Sequence, residues 1–158
     1  MILTHTYNTD TKRQQWQQNT ILGVFCRVHT VAENTSVANN TWTNVPFTTI
    51  TDTTNFNLTA NVVKPLVPGT YAVFYGFYTS NQAIGIITAR FNHSDRTEVV
   101  GVAGNNSEDD ISGMSLFYFD GINDTISLQI RHANGSSRTI FVTGTDYYAY
   151  INLVKVGE

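Results

Sequence analysis

The chain has 158 residues, a formal net charge of −3, and charged side chains at only 13% of positions. That length suits one domain with a full core. So thin a charge leaves no electrostatic footprint for nucleic acid or for an anionic membrane surface. Threonine and asparagine make up about a quarter of the residues and aromatics 12%, the composition of an all-β chain with many turns.

Cys26 is the single cysteine, so no disulfide framework exists, and its apolar run, Gly23–Val28, reads as a site for a buried reduced thiol. The first ten residues lack a basic region followed by an apolar one, so no secretory signal is expected. No apolar run approaches the length of a membrane span. Asn34, Asn39, Asn57, Asn92, Asn105, Asn123 and Asn134 match the glycosylation triplet, which a chain rich in Asn, Ser and Thr produces by chance.

In chain order, residues 1–19 read as a polar N-terminal arm with Tyr7 and Trp16 as anchors, and residues 20–158 as a head domain. Ile21 to His29 is the first expected strand, with Cys26 and Val28 on one side and Arg27 and His29 on the other. A long polar loop follows, and Asn39, Asn40 and Trp42 near its end are candidate binding residues. Trp42 to Ile50 reads as a short strand broken at Pro46, and Phe56 to Val63 as one strand.

Pro68-Gly69 is a turn signal. The strand after it is the densest in the chain: Tyr71, Val73, Tyr75 and Phe77 share one face, and Phe74 and Tyr78 the other. Ala83 to Phe91 and Glu98 to Ala103 continue the pattern, and residues 104–110 form a surface loop offering Asn105, Asn106, Asp109 and Asp110. Ile111 to Phe119 is again strand-like, with Phe117 and Phe119 opposite Met114, Leu116 and Tyr118. Asp120 to Asp124 makes a tight turn with Gly121 free for the left-handed region. Ile126, Leu128 and Ile130 point inward on the next strand. Asn134-Gly135 signals a hairpin, Thr139 to Thr143 is a strand, and Tyr147 to Val156 closes the chain. About ten strands and no helical period describe an antiparallel β-sandwich, a jelly roll of eight core strands with extras.

Little in the sequence points to reaction chemistry, and no enzyme is expected. The four histidines, His5, His29, His93 and His132, lack metal-ligand spacing. His93-Ser94-Asp95 holds triad residue types, but neighbours in sequence cannot face one another as a relay. Glu108-Asp109-Asp110 is an acidic loop without the spacing of a calcium motif. Gly101–Asn106 lacks the helix and lysine of a phosphate-binding loop. Glycoside hydrolysis would need Asp120 or Asp124 opposite Asp146, and is the remote enzymatic alternative. No cofactor and no metal are expected.

The landmarks in order carry a resemblance over residues 40–156. Phe56 precedes Pro68-Gly69-Thr70-Tyr71, a long aromatic strand follows, then Ser112-Gly113 before an apolar strand, Gly121 before Ile126–Ile130, and an aromatic last strand. This resembles the trimeric jelly-roll heads of the complement and tumour-necrosis-factor superfamily, including related domains on phage virions. The resemblance implies a homotrimer. Six aromatics on faces not assigned to the core, Phe74, Tyr78, Phe117, Phe119, Tyr148 and Tyr150, are the expected trimer interface, because a monomer would leave too large an apolar patch in water.

No collagen-like stalk and no membrane anchor are expected, so the virion type is the closer comparison. The expected function is a trimeric capsid decoration or cement protein of a tailed phage, located in the virion and assembled in the host cytoplasm. The arm would contact the major capsid protein or another virion protein. The alternative is the receptor-binding head of a tail or capsid fibre, with its loops on a host-surface glycan or protein. Neither nucleic acid nor membrane insertion is expected.

Overall fold

Two antiparallel sheets face one another across an aromatic core. The structure is a computed structural model. It describes residues 3–8, 13–18, 24–30, 35–79, 86–103, 109–140 and 149–158, with side chains over 24–30, 36–77, 86–101, 111–137 and 149–158. The strands are β1 (Leu3–Asn8), β2 (Arg13–Gln18), β3 (Phe25–Thr30), β4 (Thr35–Val37), β5 (Thr43–Asn44), β6 (Thr49–Ile50), β7 (Phe56–Thr59) and β8 (Val62–Pro65), continuing as β9 (Gly69–Thr79), β10 (Ile87–His93), β11 (Thr97–Ala103), β12 (Asp109–Phe119), β13 (Ile126–His132), β14 (Arg138–Ile140) and β15 (Ala149–Gly157).

One sheet runs β12-β9-β15-β3-β6, and the other runs β11-β10-β13-β8-β7 with β5 added beside β13. Sequential strands cross between the layers from β8 to β9, from β9 to β10, from β11 to β12 and from β12 to β13. That nesting is the jelly roll. The count exceeds the expected ten because several strands hold only two to four residues.

Three local features depart from the sequence reading. Alternation of Phe56, Leu58, Ala60 and Val62 suggests one strand. Instead Ala60 and Asn61 both take left-handed φ, 49° and 68°, and β7 folds back on β8 with Thr59 opposite Val62. This is a two-residue hairpin turn, which asparagine accepts at little cost and alanine at about 1 kcal/mol.

Around Pro46 the chain changes sheets. Asn44 pairs with Gln129 of one sheet and Thr49 with His29 of the other. A residue without an N–H suits the point where the ladder is exchanged.

Residues 3–18 show little apolar alternation, yet β1 and β2 pair in register, with His5 opposite Trp16 and Tyr7 opposite Gln14. A ladder of backbone hydrogen bonds does not require an apolar face.

β9 holds the core together. Tyr71, Val73, Tyr75 and Phe77 are all buried, as their alternation requires. Rings meet edge to face along the sandwich. Phe56 contacts Tyr71 at 5.9 Å, Tyr71 contacts Phe119 at 5.4 Å, Phe117 contacts Phe91 at 5.5 Å and Phe91 contacts Tyr75 at 5.4 Å. His93 bridges the series, stacked on Phe117 at 5.1 Å and edge-on to Phe119 at 4.8 Å. Each edge-to-face pair adds ~0.5–1.5 kcal/mol beyond its burial.

The phenols keep partners inside. Tyr71 Oη donates to the Val67 carbonyl at 2.8 Å and Tyr75 Oη to Val100 at 2.9 Å. Burial pushes both phenols up to about 12. Cys26 is fully buried, and burial raises its thiol above the usual value.

Candidate self-association face and end loops

The outward face of the five-stranded sheet is set by register. Met114, Phe74, Asn152 and Arg27 form one cross-strand row. Leu116, Ala72, Val154 and Phe25 form the next, and Ser112, Gly76, Tyr150 and His29 lie on the other side of the first. Phe74 is 40% exposed, Met114 53%, Leu116 52% and Tyr118 55%, with Phe25 also exposed. Isolated apolar side chains on a surface are ordinary, but Phe74, Met114, Leu116 and Tyr118 lie on the adjacent strands β9 and β12.

The expected interface residues divide. Phe74 stands on this outward face, and so does Tyr150. The Tyr150 ring lies over Gly76, where a Cβ would come within 2.6 Å of it, and the Arg27 guanidinium sits 5.2 Å from its centre. Phe117 and Phe119 do not belong there. They are 2% and 0% exposed and lie in the protomer core. Both faces of β12 are apolar, so alternation alone cannot orient it. Pairing of Phe117 with Tyr71 and of Met114 with Phe74 does, and it turns Met114, Leu116 and Tyr118 outward. Tyr78 occupies β9 opposite Asp110, but its side chain lies outside the described residues, as does Tyr148 entirely.

His29 is buried at the edge of this face. Burial first, and the positive charge of Arg27 second, hold its pKa below the ordinary value.

The two ends of the sandwich differ. Ile87 pairs with both Ala103 and His132, Asp109 with Thr79, and Ala149 with both Thr30 and Phe77. The strand ends joined by residues 31–34, 80–86, 104–108 and 141–148 therefore share one end. Asn39 and Asn40 sit there too. Asn40 N–H donates to the His132 carbonyl at 2.8 Å, and Asn39 Oδ1 accepts from Gly135 N–H at 2.9 Å. Asn105 and Asn106 lie outside the described residues. Asp109 and Asp110 begin β12 at this end, instead of lying in the loop.

The opposite end holds Gly69 opposite Phe119 and Phe25 opposite Val154. β3 therefore starts at that end, and the β1–β2 hairpin precedes it in the chain.

Trp42 lies on the outer side of the other sheet. Arg90 Cζ is 4.0 Å from its ring centre and Arg131 Cζ 5.2 Å. Gln129 holds Arg90, accepting from Nε at 2.8 Å, and itself donates to Asn44 Oδ1 at 2.9 Å. The arginines are residues that sequence reasoning missed, because the strand pairing that gathers them has no local signal.

The polar clusters at residues 120–124 and 93–95 hydrogen-bond within their own turns. Asp120 Oδ1 accepts from the N–H groups of Ile122, Asn123 and Asp124 at 2.7–2.9 Å, and Asp124 Oδ2 accepts from Asp120 N–H at 2.8 Å. These bonds lower the Asp120 carboxyl to about 2, the wrong direction for a general acid. Asp146 lies outside the described residues. His93 Nδ1 accepts from Asp95 N–H at 3.1 Å, and Ser94 bonds Thr125 instead of His93. Among the described residues no three of His, Cys, Asp and Glu are grouped to hold a metal ion.

No protein-family model matches the chain, and no curated protein matches it. Solved structures match its fold. The PRD1 vertex protein P5 superposes with a TM-score of 0.64 at 14% identity, over 98% of this chain and 82% of P5. Murine APRIL at pH 8.0 gives 0.59 at 13% identity, over 84% of this chain and 98% of APRIL. The globular domain of zebrafish complement 1qA gives 0.54 at 14% identity, over 84% and 96%. The chain thus has the jelly-roll fold of complement and tumour-necrosis-factor heads. The P5 match, at 98% of the chain, also reaches into the β1–β2 hairpin.

Proposed function

We propose that the protein is a trimeric virion surface protein that decorates a capsid. The observation that carries this reading is the exposed apolar group Phe74, Met114, Leu116 and Tyr118 on the adjacent strands β9 and β12, with Phe25 exposed on the same face of β3. Three copies packed around an axis bury that face. The ends then acquire direction. The N-terminal hairpin, with Tyr7 and Trp16, leads into the end that faces the capsid, and the Asn39–Trp42 loop stands at the outer end. Likeness to a vertex protein over nearly the whole chain supports a virion setting. The solved structures it superposes on, a vertex protein and complement and tumour-necrosis-factor-like heads, support a non-enzymatic role. The test is deletion of residues 1–18 followed by measurement of occupancy on capsids. Loss of occupancy with an unchanged oligomeric mass is expected, and unchanged occupancy would overturn the role of the arm.

A second reading, the receptor-binding head of a tail or capsid fibre, is favoured by one observation. Asn39 and Asn40 are pinned to the Asn134-Gly135 turn and to β13 at the end opposite the start of β3. Binding of the isolated protein to host-surface glycans or to host cells supports it, and absence of binding to any host surface favours decoration.

A further inference from the structure

We infer that Trp42, Arg90 and Arg131 form a site for an oxyanion carried on a saccharide: the carboxylate, sulfate or phosphate of an acidic surface glycan. The site deepens the receptor-binding reading and rests on it for its natural occupant. It lies wholly within one protomer, so it does not depend on trimer formation.

Two guanidinium groups approach a single indole at 4.0 and 5.2 Å. The ion pairs among the described residues, Arg96–Glu98 and Lys155–Glu158, involve neither arginine. The two like charges repel each other while the indole attracts both, and no described carboxylate pairs with either arginine, so an anion placed between them gains from both charges. Arg90 feels this directly: burial and the neighbouring charge of Arg131 lower its pKa.

The arrangement is also pre-organised. Arg90 stands opposite Gln129 across the ladder, and Gln129 opposite Asn44. The Arg90 Nε bond to Gln129 at 2.8 Å fixes the guanidinium plane and leaves its two terminal nitrogens to donate. Arginine presents donors in a fixed fork that matches a planar or tetrahedral oxyanion.

The surroundings select the carrier. Asn44, Thr88, Asn92 and Gln129 are half-buried around the arginines, an amide and hydroxyl border suited to sugar hydroxyls. A polymer of phosphates would instead call for a basic stripe, which a net charge of −3 does not provide. Arg131 is one residue from the end of β13, the end that carries the Asn39–Trp42 loop, so an extended glycan could touch both.

The experiment is calorimetric titration of the full chain with 3′-sialyllactose, a sulfated heparin hexasaccharide, mannose 6-phosphate, neutral lactose and a short single-stranded DNA. Binding of at least one acidic saccharide, and none of lactose, is expected. Arg131→Gln and Arg90→Gln should each weaken it by about tenfold or more. Arg131→Lys keeps the charge without the fork and should also weaken it, while an unchanged melting temperature shows that the sheet is intact. Binding to no acidic saccharide, equal binding of lactose, tighter binding of DNA, or indifference to Arg131→Gln would overturn the site. A separate host-cell binding assay tests the receptor reading. Cell binding that survives both arginine substitutions leaves that reading standing and removes this site from it.

Discussion

Met114 stands directly across from Phe74 on the outward face of the five-stranded sheet, and both side chains are about half in water. A thioether and a phenyl ring in adjacent strands, with Leu116 two residues along β12 on the same face, form the centre of the proposed subunit contact. Phe74→Asp with Met114→Asp should therefore convert the proposed trimer to a folded monomer. Light scattering checks the mass and circular dichroism checks the sheet. A trimer that survives both carboxylates would place the contact elsewhere.

Phe119 gives the opposite expectation. It lies inside the protomer against Tyr71 and His93, so Phe119→Ala should cost about 3–5 kcal/mol of stability by leaving a cavity. Below the lowered melting temperature the subunits should still associate. A loss of association with little loss of stability would return Phe119 to the interface.

Gly113 lies opposite Tyr75, and a Cβ there would come within 2.7 Å of the ring and 3.0 Å of the Val100 carbonyl. Tyr75 cannot withdraw without breaking its bond to that same carbonyl. Gly113→Val should thus destabilise by about 1–3 kcal/mol through overpacking, measured as a shift in urea midpoint. A neutral substitution would mean that Tyr75 is less tightly held than the geometry shows.

Asp120 links stability to acid. Its carboxyl is lowered from 3.8 to about 2 by the turn N–H groups, so the unfolded chain takes up the proton first. The contribution is complete above pH 3.8 and is lost as pH falls towards 2. Asp120→Asn retains an acceptor oxygen but does not titrate. Its urea midpoint should fall less steeply than that of the parent over this window. Parallel curves would deny the linkage.

His29 acts at milder pH. Its folded pKa lies below 6.5, so the unfolded state binds the proton more readily. Stability should be complete above pH 6.5 and decline as pH drops below it, until the folded group also titrates. His29→Gln should flatten that part of the profile. A profile unchanged by His29→Gln would assign the decline to other groups.

Much of the sandwich was legible in the sequence. Tyr71, Val73, Tyr75 and Phe77 alternate with smaller or exposed residues, and Ile126, Leu128 and Ile130 do the same, so periodicity alone identifies the inward faces of β9 and β13. β12 was not legible in this way. Apolar groups occupy both of its faces, and only pairing with β9 decides that Phe117 and Phe119 turn inward. The Ala60-Asn61 turn was hidden because alanine in a left-handed conformation carries no sequence signal. The Trp42–Arg90–Arg131 cluster joins residues 42, 90 and 131, which come together only through the pairing of β5, β10 and β13.

The most direct measurement is the mass of the purified chain at micromolar concentration by light scattering. Three subunits of 17.6 kDa give about 53 kDa, and that value is expected at neutral pH. A stable species of 17.6 kDa, with Phe74, Met114, Leu116 and Tyr118 remaining in water, would contradict the trimer and the virion role built on it.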